Sequence, residues 1–342
     1  MLDGNELEAR AQRITHPEFI ERVVSPVLYG DSTKASPKCE TQIVQNTGTG
    51  RLTVSYRFED GVFAFGKLYS DDLGLHGARL TKGLWDGGFG HGNCHQVSEP
   101  LLYLPEYTFL LTRAALGTPL MSFVGDDGPE VLARVRLAAR WLVELHKSPL
   151  RIGQPESLWE SLKLSRVLHR ITKAATMAPQ ERGRMIGLIE RLCEKGKECS
   201  NKPRMVQTHG RYHYEHIYVS DESSGSIRTV TLIDFDRSAP SDPAKDLAEF
   251  VSVLRHKTLR RTGSLVKAEM PTRAFLEEYL SHLPENGENL AVHWGAFVLL
   301  TMFHYLKKQD SEGEESEKRI RSYEAEFDRV MMKLGRQRSS FQ

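Results

Sequence analysis

Between Val206 and Phe250 the chain concentrates side chains that move protons, hold metals and bind anions. The segment Val206-Gln207-Thr208 runs into His209, Arg211, His213, Glu215 and His216, a dense titratable loop. Asp234 and Asp236 follow at the end of the apolar run Val230–Ile233. Asp234, a lone acid leaving a strand, is the first candidate for a metal ligand. Asp236 shares its face if the strand extends, and offers a second oxygen. Mg²⁺ takes oxygen ligands in octahedral geometry, whereas the imidazole of His216 suits softer ions such as Mn²⁺ better. Arg211 stays protonated and so cannot act as a base, but its guanidinium suits a phosphoryl group. His209, His213, Glu215 and Asp236 are the nearby groups able to accept a proton, and His209 equally suits a role as a hydrogen-bonded lock on the loop. A polar loop and an acidic metal ligand set about a rigid two-stranded ribbon is the layout that metal-dependent phosphoryl transfer needs, because that chemistry rests on positioning and charge neutralisation.

The elements that must hold these residues follow from periodicity. Ile217–Val219 and Val230–Ile233 flank the turn-forming run Asp221–Ser226, a hairpin pattern. Asp242-Pro243 then opens a helix starting at Asp246-Leu247-Ala248, with acids in its first turn. Upstream, a period of two predicts strands at Thr41–Asn46, Arg51–Phe58 and Val62–Tyr69, linked at Thr47-Gly48-Thr49-Gly50 and Glu59-Asp60-Gly61. The third strand places Phe63, Phe65, Lys67 and Tyr69 on one face, so Lys67 has an apolar stem environment and an amine to satisfy, unless it snorkels at a strand edge. Two more strands are expected at Leu101–Leu104 and Tyr107–Leu111. Helices are expected within 5–30, over 76–85 and Pro129–His146, and through Leu158–Ala175, Gln180–Lys197, Leu247–Leu254, Pro271–Leu283, Leu290–Lys307 and Glu315–Leu334. His146 ends its helix as a packing residue, and the tail from Arg336 is expected to fray.

On His209-Gly210, His213, Ile233-Asp234-Phe235, Asp242-Pro243 and Asp246-Leu247-Ala248, the chain resembles the aminoglycoside phosphotransferase and choline kinase-like family. The resemblance implies an α+β, bilobal protein-kinase-like fold. A small antiparallel β-sheet N-lobe would span 31–116 after an N-terminal helical extension, 1–30. A mainly α-helical C-lobe would span 117–342, with its catalytic core at 206–250. It also implies ATP or GTP, with Mg²⁺ or Mn²⁺ held by Asp234 and His216. Lys67 would hold nucleotide phosphates, and the Gly48–Gly50 turn would cover them with backbone amides. The main chain around Arg113 to Ala115 would form a hinge against the adenine edge, and Asp246 would tie the catalytic loop together.

The chain departs from the family pattern at Arg211, where the family has its catalytic Asp, and at His216, where it has a metal-binding Asn. No acid stands between Leu75 and Trp85 to pair with Lys67, which leaves Asp86, Glu99 or phosphate alone. The implied activity is transfer of a γ-phosphoryl group to a hydroxyl of a small molecule or peptide. The alternatives are a pseudokinase that binds nucleotide or a phosphorylated ligand and acts by docking, and a kinase-fold enzyme of altered chemistry such as nucleotidyl transfer.

Composition excludes other classes. A length of 342 residues suits two lobes, and a net charge of +1 gives no global case for nucleic acid. Cys39, Cys94, Cys193 and Cys199 lack metal-site or disulfide-framework spacing, which points to reduced thiols in a cytoplasmic protein. No apolar run is long enough to span a membrane, and the N-terminus lacks the pattern of a signal peptide. Gly87–Gly92 lacks the Lys-Ser/Thr of a P-loop and reads as a loop. The basic run Leu254–Arg261 is expected to be a solvated helix end, with an anionic substrate or acidic peptide as the lesser alternative. His293-Trp294 and Phe303-His304-Tyr305 are expected in the core, although acceptor pockets of choline kinase-like relatives draw aromatics from late helices.

Overall fold

Alternating burial along two consecutive strands, Arg51–Phe58 and Phe63–Tyr69, shows how the first part of the chain builds its core. The computed structural model describes residues 4–30, 37–46, 50–157, 160, 162, 179–197, 204–220, 228–285, 287–306 and 309–333. These fall into two units, Met1–Thr118 with Tyr218–Ser238, and Pro119–Ile217 with Ala239–Gln342. Gly48, Cys199, the Asp221–Ser226 turn and the tail from Arg336 lie outside the described residues. Of the helix expected over Leu158–Ala175, only positions 160 and 162 are described.

The first unit opens with helix α1 (Gly4–Ile14) and helical turns at Pro17–Phe19, Ile20–Val24 and Ser25–Tyr29. Strands β1 (Cys39–Asn46), β2 (Arg51–Phe58) and β3 (Phe63–Tyr69) come next. Helix α2 (Leu73–Leu84) is followed by β4 (His95–Val97), β5 (Pro100–Leu104), β6 (Phe109–Arg113) and β7 (Thr118–Pro119). The hairpin strands are β8 (Ile217–Ser220) and β9 (Thr229–Leu232). One sheet is ordered β1-β2-β3-β6-β5 with antiparallel pairing; a second is ordered β4-β9-β8-β7.

Period two decides which side of the larger sheet is the core. Leu52, Val54, Tyr56 and Phe58 of β2, with Ala64 and Leu68 of β3, are buried against Ile14, Phe19, Ile20 and Val24. The Tyr56 hydroxyl donates to the Ile14 carbonyl at 2.9 Å, tying α1 to the sheet. Full burial of Phe109 on this face contributes on the order of 2–3 kcal/mol. On the opposite face Tyr69 and Leu110 pack on Ala78 and Leu73 of α2. Lys67 belongs to this second face, opposite Thr53 of β2.

Two expected boundaries move for local reasons. The strand expected at Tyr107–Leu111 begins at Phe109, because Pro105–Tyr107 forms a 3₁₀ turn and Thr108 is left-handed at φ 49°. The expected loop after α2 begins instead as a wide helical turn, Trp85–Phe89, ended by Gly88 at φ 105°.

The second unit is helical: α3 (Pro129–Lys147), α4 (Pro179–Lys197), α5 (Ala244–Thr262), α6 (Val266–His282), α7 (Gly287–Leu306) and α8 (Gln309–Lys333). Two short strands, Val206–Thr208 and Ala239–Ser241, pair antiparallel among them. Helix α7 is apolar nearly all round and lies against α4, α5 and α8, as a central helix must. Tyr212 sits in an aromatic cluster with Trp141, Phe250 and Phe275. The basic run in α5 is a solvated end only at Arg260 and Arg261, which are exposed. Arg255 is buried and meets both carboxylate oxygens of Glu326 at 2.6 Å, while Lys257 pairs with Glu215 at 2.6 Å. His293, Trp294, Phe303 and Tyr305 are buried in the core. No described helix is long and apolar enough to cross a membrane.

Candidate active site

Within the first unit, β3 delivers Lys67 and the segment after β9 delivers Asp234 and Asp236. The Lys67 ammonium lies 2.5 Å from Asp234 Oδ1 and 3.6 Å from Asp236 Oδ2. Burial pushes the Lys67 amine down, but the charges of Asp234 and Asp236 and the hydrogen bond to Asp234 override it and hold the amine above its ordinary value. Asp234 adopts a left-handed backbone at φ 70°, a conformation uncommon for a residue with a side chain. Asp236 is buried. Its Oδ1 accepts a hydrogen bond from the Tyr69 hydroxyl at 2.8 Å, and its Oδ2 accepts none. The charge nearest to Oδ2 is Arg51 Nη1, at 3.2 Å. Burial, with Asp234 alongside, raises the Asp236 carboxyl above its ordinary value despite the opposing pull of Lys67, Tyr69 and Arg51.

Neither acid expected as a substitute partner for Lys67 fills that place. Asp86 pairs with Lys82 at 2.5 Å, one helical turn away, and Glu99 pairs with Arg113 at 2.5 Å. The absence of an acid in α2 has a steric counterpart. A Cβ at Gly74 would stand 2.6 Å from the Tyr69 ring, and one at Gly77 would stand 3.2 Å from Asp236 Oδ1. The helix approaches the site through its glycines. His76 completes the contact through Nε2, 2.7 Å from the Ser238 carbonyl.

The other residues expected at a nucleotide are held as follows. Gly50 is at φ 92°, its carbonyl accepts from Ser70 N–H at 2.8 Å, and a Cβ there would run into the Ser70 side chain. The Arg113 N–H donates to the Glu99 carbonyl at 2.9 Å, and its own carbonyl accepts from the Ser98 hydroxyl. The Ala114 N–H donates to the Phe63 carbonyl at 2.9 Å. Two N–H groups of the expected hinge are therefore already used by backbone carbonyls, and Ala115 follows them half-buried.

In the second unit the loop from His209 to His216 is held by its backbone. Asp246, fully buried at the start of α5, accepts from His209 N–H at 2.6 Å and Gly210 N–H at 2.9 Å. Burial alone would raise its carboxyl, but the hydrogen bonds from His146 and the loop hold it below the ordinary range. His146 Nε2 is 3.2 Å from Asp246, and its Nδ1 is 2.7 Å from the Tyr279 hydroxyl. Burial pushes the His146 imidazole down, so it is neutral, accepting from Tyr279 and donating to Asp246. His146 is thus more than a packing residue at a helix end.

His209 is buried, and its Nδ1 accepts from Arg211 N–H at 3.3 Å. His216 Nδ1 donates to the Arg211 carbonyl at 3.0 Å, which leaves Nε2 as the basic nitrogen; metal-binding histidines are commonly oriented in this way. His213 is buried with its ring centroid 4.0 Å from that of His216. Glu215 is exposed; burial raises its carboxyl, but the Lys257 hydrogen bond and charge outweigh this and keep it low.

The donor set of the first unit fits a hard divalent cation. Asp234 and Asp236 offer carboxylate oxygens, and Asp236 Oδ2 is a buried acceptor without a hydrogen bond. Among the described residues no group of three or more His, Cys, Asp or Glu gathers for a metal.

Sequence reading missed Arg51, Tyr69 and Tyr279. A signal for the first was present: β2 alternates polar Arg51, Thr53 and Ser55 with apolar Leu52, Val54 and Tyr56, and that polar side pairs across to the Lys67 face.

No protein-family model matches the chain, and no curated protein sequence does either. Solved structures do. A choline kinase from Cryptosporidium parvum Iowa II aligns with a TM-score of 0.63 at 11% identity, over 94% of this chain and 99% of that one. An amicoumacin kinase in complex with AMP-PNP, Ca²⁺ and Ami gives 0.58 at 10% identity, over 96% of each chain. A spectinomycin phosphotransferase in complex with ADP and spectinomycin gives 0.57 at 12% identity, over 87% of this chain and 93% of that one. The chain has the fold of these proteins, an α+β, bilobal protein-kinase-like architecture.

Proposed function

We propose that a chain built on this fold is a metal-dependent phosphotransferase, which moves the γ-phosphoryl group of ATP or GTP to a hydroxyl of a small molecule or peptide. The observation that carries the reading is the Lys67–Asp234 contact at 2.5 Å, with Asp236 beside it. An amine meeting two carboxylates within one unit is the set of charges needed to hold a triphosphate and its divalent ion. The likeness to structures solved with AMP-PNP and with ADP supports nucleotide use.

Asp234 and Asp236 would hold Mg²⁺ or Mn²⁺, and the ion would neutralise charge on the phosphates. Lys67 binds and orients phosphate oxygens. Tyr69, whose hydroxyl is held protonated by burial and by Asp236, fixes that carboxylate in place. Gly50 and the hinge at Arg113 and Ala115 are assigned to the nucleotide. In the second unit Asp246 presents the loop, and His209 locks it through Arg211 N–H. Arg211 binds the transferring phosphoryl or an anionic group of the acceptor rather than taking a proton. His213 is the group best suited to receive the acceptor's proton, because Glu215 is tied to Lys257. A loose transition state needs no strong base.

Arg211 favours a second reading, a pseudokinase that binds nucleotide and docks without turnover. The two separate in one experiment. Purified protein with Mg²⁺ or Mn²⁺, ATP or GTP, and a library of hydroxyl acceptors should release ADP or GDP, and Asp234→Ala should reduce that release by about 10²–10³-fold. Nucleotide binding with no turnover on any acceptor supports the docking module instead. Unchanged nucleotide affinity in both Lys67→Ala and Asp234→Ala would place the site elsewhere.

A further inference from the structure

Arg51 opens β2 immediately after the Gly50 turn, and its pairing with Tyr69 sets it on the sheet face that carries Lys67. Its guanidinium carbon lies 5.9 Å from the centre of the Tyr69 ring, and Nη1 is 3.2 Å from Asp236 Oδ2. That contact is one of charge, because Oδ2 accepts no hydrogen bond. Two cations, Lys67 and Arg51, therefore face two acids, Asp234 and Asp236. The four are not equally accessible. The Lys67 and Arg51 side chains keep 27% and 23% of their surface, against 13% and 4% for Asp234 and Asp236. An anion arriving from solvent meets the cations first and the acids behind them.

We propose that Arg51 is a phosphate-binding residue of the nucleotide site, and that Lys67 and Arg51 exchange Asp234 and Asp236 for nucleotide phosphates when a divalent cation occupies those carboxylates. The proposal rests on the phosphotransferase reading. Its physical basis is charge balance. A polyphosphate alone would set its negative charges beside two poorly solvated acids, and a dication alone would be set against two cations. When both arrive, every incoming charge meets an opposite partner and none of the four side chains loses compensation. Metal and nucleotide must then strengthen each other's binding, since coupling between two ligands is reciprocal. Arginine suits the role because its guanidinium is always charged and can take two phosphate oxygens at once.

Calorimetric titration of the full chain with AMP-PNP, with and without Mg²⁺, tests both parts; adenosine serves as a probe that lacks phosphate. Wild type should bind AMP-PNP about tenfold or more tightly with Mg²⁺ than without it. Arg51→Gln should lose about tenfold or more for AMP-PNP with Mg²⁺ and keep its affinity for adenosine. Arg51→Met, which retains the stem over Tyr69, should behave the same way if the glutamine variant folds poorly. Equal AMP-PNP affinity in wild type and in either variant overturns the assignment of Arg51 alone. Mg²⁺-independent binding by wild type overturns the exchange. Failure of wild type to bind AMP-PNP or its guanine counterpart GMP-PNP under any condition overturns the phosphotransferase reading and the assignment together.

Discussion

Asp236 and Asp246 are both buried carboxylates, yet their surroundings differ in kind. Asp236 in the first unit receives one hydrogen bond, from Tyr69, and otherwise sees the charges of Arg51, Lys67 and Asp234. Asp246 in the second unit receives two backbone N–H groups and a neutral imidazole. Charges at 3–4 Å can change partner without breaking the fold, whereas backbone donors that lose their only acceptor cannot be re-satisfied indoors. The first arrangement suits groups that must let go and rebind, the second a loop that must keep one shape. Burial of an acid therefore says little about its work until its partners are named.

That contrast can be broken experimentally, beginning with the loop. Asp246→Ala strands His209 N–H, Gly210 N–H and His146, and should cost about 3–5 kcal/mol in urea unfolding. Asp234→Ala should reduce turnover by about 10²–10³-fold in an ADP-release assay, with a much smaller change in unfolding midpoint, because Lys67 keeps Asp236. Next comes a pH effect in the second unit. Burial lifts the Glu285 carboxyl from 4.5 to about 7 against the charge of Arg204. The folded chain thus holds a proton that the unfolded chain has released, so stability should fall as pH rises from 4.5 to about 7 and then level off. Glu285→Gln should flatten this slope, which amounts to up to about 3 kcal/mol between pH 5 and 8 in urea unfolding. The smallest effect is expected for Tyr279→Phe, which removes the donor to His146 Nδ1 and should cost about 1 kcal/mol. Should Tyr279→Phe match Asp246→Ala in cost, the loop is held through the relay rather than by Asp246 directly.

Much of the fold was legible because local rules agree with tertiary ones. The Arg51–Phe58 alternation and the hairpin strands about residues 217–232 obey a period that burial then enforces. The candidate site was legible only where a residue type is unusual for its element, as with Lys67 in an apolar strand and Asp234 ending one. Arg51 and Tyr69 look ordinary in β2 and β3; their meeting with Asp236, 167 positions beyond Tyr69, is a product of folding. Arg255 misled for the converse reason. In sequence it is one of several bases at a helix end, and only α8 supplies the Glu326 that lets it be buried.

The backbone at Asp234, turned to φ 70°, carries a consequence for any mutational survey of this chain. Asparagine and glycine tolerate that region, while valine and isoleucine do not. Survivors in a saturation library at this position will be sorted by yield of soluble protein before any catalytic selection begins, and asparagine becomes the replacement that isolates the loss of negative charge from a change of shape.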